Sequence, residues 1–136
     1  MTIIKVGANK VVANRNVNAN VTKVDIKTNV GIVSVEEMNF STEERKGLKI
    51  GFEFKCEYNP ELGNIEVYGQ VFYTESADKV NEILKGWTEN KNLPMDLKKQ
   101  VINAALHKGN IQAIKISEDV GLPSPLPLPK VKEEEN

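Results

Sequence analysis

Residues 48–74 read LKIGFEFKCEYNPELGNIEVYGQVFYT, and the alternation inside this stretch decides the fold. Leu48, Ile50, Phe52, Phe54, Cys56 and Tyr58 share one parity while Lys49, Gly51, Glu53, Lys55 and Glu57 take the other, the pattern of a strand with one buried and one wet face. Asn59, Pro60, Glu61, Leu62, Gly63 and Asn64 then interrupt the alternation with residues that preset or permit turn dihedrals, so the chain reverses into a hairpin. The return strand, residues 65–74, differs in kind. Ile65, Val67, Gly69, Val71 and Tyr73 fall on one parity, but the other carries Tyr68 and Phe72 beside Glu66 and Gln70. A single helical layer covers one side of a sheet only. Tyr68 and Phe72 therefore call for a cover of their own: a connection, the C-terminal tail, a second subunit or a bound extended segment.

Upstream of the hairpin the chain is also extended. Ile3, Ile4 and Val6 lead into Val11, Val12 and Ala13. Asn14, Arg15 and Asn16 weaken the pattern, and Val17, Ala19 and Val21 either resume the strand or belong to an irregular connection. Val24, Ile26, Thr28, Val30 and Ile32 then share a parity that switches at Val33 and Val35, and Gly31 beside the switch marks a bulge. Ser41 and Glu44 have capping-box spacing, which allows one helical turn in the polar connection before the hairpin.

Downstream of Thr74 the period changes from 2 to about 3.6. Ser76 is placed as an N-cap, and Val80, Ile83, Leu84 and Trp87 form one stripe on a helix ending near Asn90, with Trp87 as a core anchor. Pro94 opens another helix, with Leu97, Val101, Ala104 and Ala105 as apolar positions and a stop at Gly109, placing His107 and Lys108 in its last turn. Residues 110–120 read as a further helix rather than a short strand. Its end is written in Gly121, which takes the left-handed position, Leu122, which folds back, and Pro123, which forbids continuation. Pro123, Pro125, Pro127 and Pro129 then alternate with Ser124, Leu126 and Leu128, an extended polyproline-like tail. Its prolines are two apart, without a PxxP pair. It is expected to lie along its own domain or a neighbouring subunit, with Leu122, Leu126 and Leu128 as contacts and a frayed charged end.

The chain of 136 residues, 40% hydrophobic and 27% charged, is long enough for one core, taken as residues 1–121 with 122–136 as the tail. A formal net charge of -1 gives no footprint for nucleic acid or an anionic membrane. The apolar runs are too short for a membrane span and no secretory signal opens the chain, so a cytoplasmic protein is expected. The single cysteine, Cys56, fits a reducing compartment.

Chemistry is sparse. Cys56 and His107 are the only residues of their types and thus the only nucleophilic pair the chain could assemble, but Cys56 shares the buried parity and reads as an inert core thiol. One Cys and one His are too few preferred zinc ligands, and Glu36-Glu37, Glu43-Glu44 and Glu133-Glu134-Glu135 lack calcium-loop spacing. No Gly-rich loop joins a strand to a helix. No enzyme, metal or cofactor is expected.

The hairpin of residues 48–74 leading at once into a helix at Ser76, with a following helix read to Lys108-Gly109, resembles the SecB-type fold of export and antifolding chaperones. That resemblance implies a four-stranded antiparallel sheet backed by helices, pairing of sheets into oligomers, and apolar grooves that hold unfolded chains without ATP. Where that family has an aromatic-rich acidic C-terminus, this chain has Gly121 to Pro129, which resembles the tail of small archaeal proteins of unassigned function. The reading is an α+β domain, a four-stranded mainly antiparallel sheet from the N-terminal two-thirds packed against C-terminal helices. It is expected to be a non-enzymatic homo-oligomer that binds unfolded polypeptide, with Tyr68, Phe72, Leu122, Leu126 and Leu128 as interface or client contacts; the alternative is a structural or regulatory subunit with one dedicated partner.

Overall fold

The computed structural model describes residues 2–19, 23–38 and 45–125. Strands β1 (Thr2–Arg15), β2 (Asp25–Met38), β3 (Arg45–Asn59) and β4 (Gly63–Ser76) precede helices α1 (Ala77–Asn90) and α2 (Met95–Val120). The strands pair antiparallel in the order β1-β4-β3-β2, which puts the hairpin at the centre and leaves β1 and β2 as edges. This is the α+β architecture the alternation implies.

The parity of the hairpin becomes the two faces of the sheet. On one, Leu48, Ile50, Phe52, Val71 and Tyr73 pack with Val80, Ile83, Leu97, Val101 and Ala105 from the helices. Further along the same face Phe54, Cys56, Tyr58, Ile65 and Val67 pack with Ala113 and Leu122. Trp87 is half-buried against the first of these clusters, with the Lys91 ammonium 5.3 Å from its ring centroid. The bulge expected beside Gly31 is present: Ile32 pairs with Phe52 and Ser34 with Gly51, leaving Val33 out of register and 52% exposed. In β1 the register also shifts between Ile3 and Lys5 and between Ala8 and Lys10. These shifts bring Ile3, Val6, Ala8, Val11 and Ala13 to the helix side, although a strict period of two would divide them between faces. β1 ends at Arg15, and Val17 stands 73% exposed in the turn that follows rather than resuming a strand. The capping turn read at Ser41 and Glu44 lies outside the described residues.

One expectation is corrected. Gly109 does not stop a helix: α2 runs unbroken for 26 residues to Val120, and the helix read over residues 110–120 is its C-terminal part. Gly109 is there for contact, because a Cβ at this position would clash with the Cβ, Cγ and Cδ2 of Phe54. Ala105, Gly109, Ala113 and Ser117 are all buried at four-residue spacing, and these small side chains let the helix lie close to the sheet. His107 is consequently an exposed mid-helix residue, not a cation at a helix end.

The real C-terminus of α2 is as expected. Gly121 adopts φ 76°, its N–H donates to Glu118 O at 3.3 Å, and the Leu122 N–H donates to Ser117 O at 2.9 Å. This double closure satisfies two of the last four carbonyls and turns Leu122 back into the second core cluster, where it is 6% exposed.

Candidate functional site

Two surfaces carry apolar groups that the two layers do not cover. The first is the helix-free face of the sheet. Phe72 stands in a row between Lys5 and Lys49, and Tyr68 in a row between Lys10 and Glu53. Between these rows Gln70 is flanked by Gly7, where a Cβ would meet nothing within 4 Å, and by Gly51, where one would run into the Ser34 side chain. Both aromatic residues are half-buried. The Lys10 ammonium lies 5.5 Å from the Tyr68 ring centroid. The Tyr68 hydroxyl donates to Glu66 Oε1, which raises the phenol pKa, while Glu66 Oε2 accepts from Asn64 Nδ2 at 3.1 Å. Lys49 pairs with Glu36 at 3.3 Å and Lys55 with Glu53 at 3.9 Å. The face therefore presents two oriented rings within a field of opposite charges, and flanking lysine stems reduce their contact with water.

The second surface lies on the helix side, along edge strand β2. α2 packs chiefly on β1 and β4, and α1 touches β2, β3 and β4. Ile26, Thr28 and Val30 pair with Tyr58, Cys56 and Phe54 and so point to the helix side, yet Ile26 is 37% exposed, Thr28 is exposed and Val30 is half-buried. Their partners on β3 are sealed at 1% exposure or less. The seal includes the chain beyond α2, where Leu122 is inserted beside Tyr58 and the Tyr58 hydroxyl donates to Pro123 O at 2.6 Å. β2 pairs only with β3, so among the described residues its outer backbone is also free to accept a strand. Sequence reading missed this strip because its alternation looks like any core-facing strand. What exposes it is its place at the edge, which local pattern does not contain.

Tyr68 and Phe72 thus share one face, whereas Leu122 lies across the sheet from them in the core; Leu126 and Leu128 lie outside the described residues. Cys56 is fully buried, Thr28 Oγ1 lies 4.0 Å from its sulfur, and desolvation pushes the thiol pKa up, the reverse of an activated nucleophile. A cleft of about 320 Å³ opens between the starts of the two helices, floored by Tyr73, Ile83 and Leu97 and rimmed by Glu75, Glu82 and Asp96. Its lining contains no histidine or cysteine. Among the described residues no three His, Cys, Asp or Glu side chains converge to hold a metal ion, and no helix is long and apolar enough to cross a membrane.

Compared by sequence, the chain matches no protein-family model and no curated relative. Compared by structure, it is similar to the SecB-like chaperone Rv1957 of Mycobacterium tuberculosis, solved in complex with a ChAD peptide from the HigA1 antitoxin Rv1956. The superposition has a TM-score of 0.58 at 9% sequence identity and covers 96% of this chain and 89% of that chain. At that identity the likeness is one of fold.

Proposed function

We propose that this protein is a non-enzymatic, homo-oligomeric holdase that binds extended, apolar stretches of unfolded polypeptide. The observation that carries this reading is the strip Ile26-Thr28-Val30, exposed at Ile26 and Thr28 and half-buried at Val30, beside a strand edge left unpaired among the described residues, since an extended chain needs both backbone partners and pockets for alternate side chains. The fold likeness to a SecB-like chaperone solved with a bound peptide supports it. Tyr68 and Phe72, on the opposite face, are assigned to the subunit seam, where rings standing among charges give an anchor with a polar rim. Binding is passive: several weak grooves on one oligomer slow the escape of a client that fills more than one of them. No step requires a nucleophile, a metal or a nucleotide.

Stoichiometric addition of the folded protein to a thermally or chemically unfolded client should suppress light scattering by aggregates. A correctly folded protein that leaves aggregation unchanged refutes the holdase reading. A second reading, a subunit dedicated to one partner, is favoured by the fact that the structural neighbour was solved with a peptide from a single antitoxin. Affinity capture separates the two, because a holdase returns many unfolded chains and a dedicated subunit returns one protein.

A further inference from the structure

The helix-free face of the sheet is built of rows, each crossing β1, β4, β3 and β2 in that order. One row reads Lys5, Phe72, Lys49, Glu36 and another Lys10, Tyr68, Glu53, Gly31, with Gly7, Gln70, Gly51 and Ser34 between them. Charge is sorted across these rows: the charged residues on the β1 edge are both lysines, and the one on the β2 edge is Glu36. Lys5 is exposed and takes part in none of the ion pairs among the described residues. Shape is sorted in the same sense. Val33, put out of register by the β2 bulge and 52% exposed, stands on this face, where its Cγ2 lies 3.3 Å from the position of a Cβ on Gly51. At the opposite edge Gly7 leaves open space, with nothing within 4 Å of a Cβ built there.

We infer that this face docks a second copy of the chain, sheet against sheet, about a twofold axis parallel to the strands, with Lys5 on the partner's Glu36 and Val33 seated at the partner's Gly7. This deepens the subunit seam proposed for Tyr68 and Phe72 and rests on that assignment. Such an axis lays β1 of one copy over β2 of the other at the same level along the strands, so each row meets its own reverse. Lys5 then meets an opposite charge at both ends of the interface. Phe72 lies beneath the partner's Lys49, an ammonium over a ring, and Glu66 meets the partner's Lys55. No two like charges face each other directly in any row. A twofold across the strands does not pass this test: Lys5 falls on the partner's Lys10 when the axis runs through the Gln70 row, and Lys10 on the partner's Lys10 when it runs through the Tyr68 row. Packed sheets cross at about 30°, so the central rows superimpose best and the long side chains of Lys5 and Glu36 take up the offset at the corners. Five rows about 6.7 Å apart on four strands about 4.8 Å apart span about 27 Å by 14 Å between Cα atoms. Side chains widen this toward the roughly 600 Å² per partner of the smaller specific interfaces, so the pairing is of modest affinity and its charges matter.

Sedimentation equilibrium on the full chain reads the pairing. Lys5→Glu sets carboxylate against carboxylate at both ends of the interface and should weaken association at least about tenfold, and Glu36→Lys should do the same with ammonium groups. The double variant Lys5→Glu/Glu36→Lys should restore the wild-type mass. Within one subunit these positions lie three strand spacings apart, about 14 Å, so only contact between copies couples them. Gly7→Leu should also lower the mass while leaving the unfolding midpoint of the subunit in place, because the space it fills is open within one copy. A wild type that stays monomeric, its face left to solvent or to a client, overturns the seam. An unmoved mass in Lys5→Glu, or a double variant no better than the single ones, overturns it too. A restored dimer in a protein that suppresses no aggregation supports the seam and removes the holdase reading alone. Aggregation suppressed by a chain that never pairs through this face removes the seam alone.

Discussion

The backbone of Gly109 lies against the Phe54 side chain, so the middle of α2 meets the centre of the sheet with no helix side chain between them. Phe54 is fully buried, and a Cβ at Gly109 would meet its Cβ and Cγ, the inner end of the side chain, as well as the ring edge. Gly109→Ala should therefore destabilise the protein by about 1–3 kcal/mol through overpacking, despite the better helix propensity of alanine. Gly86 in α1 is the control, because a Cβ there meets only Asn92 O at 3.6 Å, an ordinary contact. Gly86→Ala should stabilise by up to about 1 kcal/mol. Urea denaturation of the two variants checks both signs.

The chain just beyond α2, Leu122 and Pro123, should be held by packing more than by its hydrogen bond. Leu122→Ala empties a site that is 6% exposed and should cost about 2–4 kcal/mol. Tyr58→Phe removes the hydroxyl that donates to Pro123 O and also meets the Cys56 thiol; the freed carbonyl can turn to water, and the change should cost about 1 kcal/mol. Limited proteolysis beyond Leu122 should accelerate in both. Equal losses of stability in the two variants would contradict this division.

Stability should fall in alkali for a reason visible in the core. Burial, the largest cause in each case, pushes the Tyr73 phenol from 10.0 up to about 12, drives Tyr58 higher still and raises the Cys56 thiol. Groups whose pKa is raised by folding contribute fully below their unfolded values and lose that contribution as pH rises toward the folded ones, since the unfolded chain ionises first. For Tyr73 the loss spans pH 10 to about 12. Denaturation midpoints measured across that window should decline, and Tyr58→Phe should make the decline shallower.

Adjacent residues of β4 should respond to substitution in opposite ways. Val71 is fully buried and Phe72 faces away from the helices. Val71→Ser should cost about 3 kcal/mol of subunit stability. Phe72→Ser should cost only about 1 kcal/mol, while shifting mass in light scattering toward smaller species if Phe72 anchors a seam. Unchanged mass for Phe72→Ser removes that residue from the seam.

The amino-acid sequence by itself determined whatever is written in short-range periodicity: the two-faced hairpin, the phase change at Val33, the stripe of α1 and the Gly121-Leu122 ending of α2. Each depends on residues within a few positions of one another, and the backbone geometry that couples them is local. Tertiary structure alone decided the rest. A glycine that ends a helix and one on which a ring rests look the same in a sequence, so Gly109 acquired its meaning only when Phe54, distant in the chain, came to lie against it. The exposure of Ile26 and Thr28 likewise follows from the strand order, which leaves β2 at an edge. The lysines beside Tyr68 and Phe72 come from strands β1 and β3, brought there by pairing. Strand order is a property of the whole chain, settled by which non-local pairings bury most apolar surface, and no local window records it.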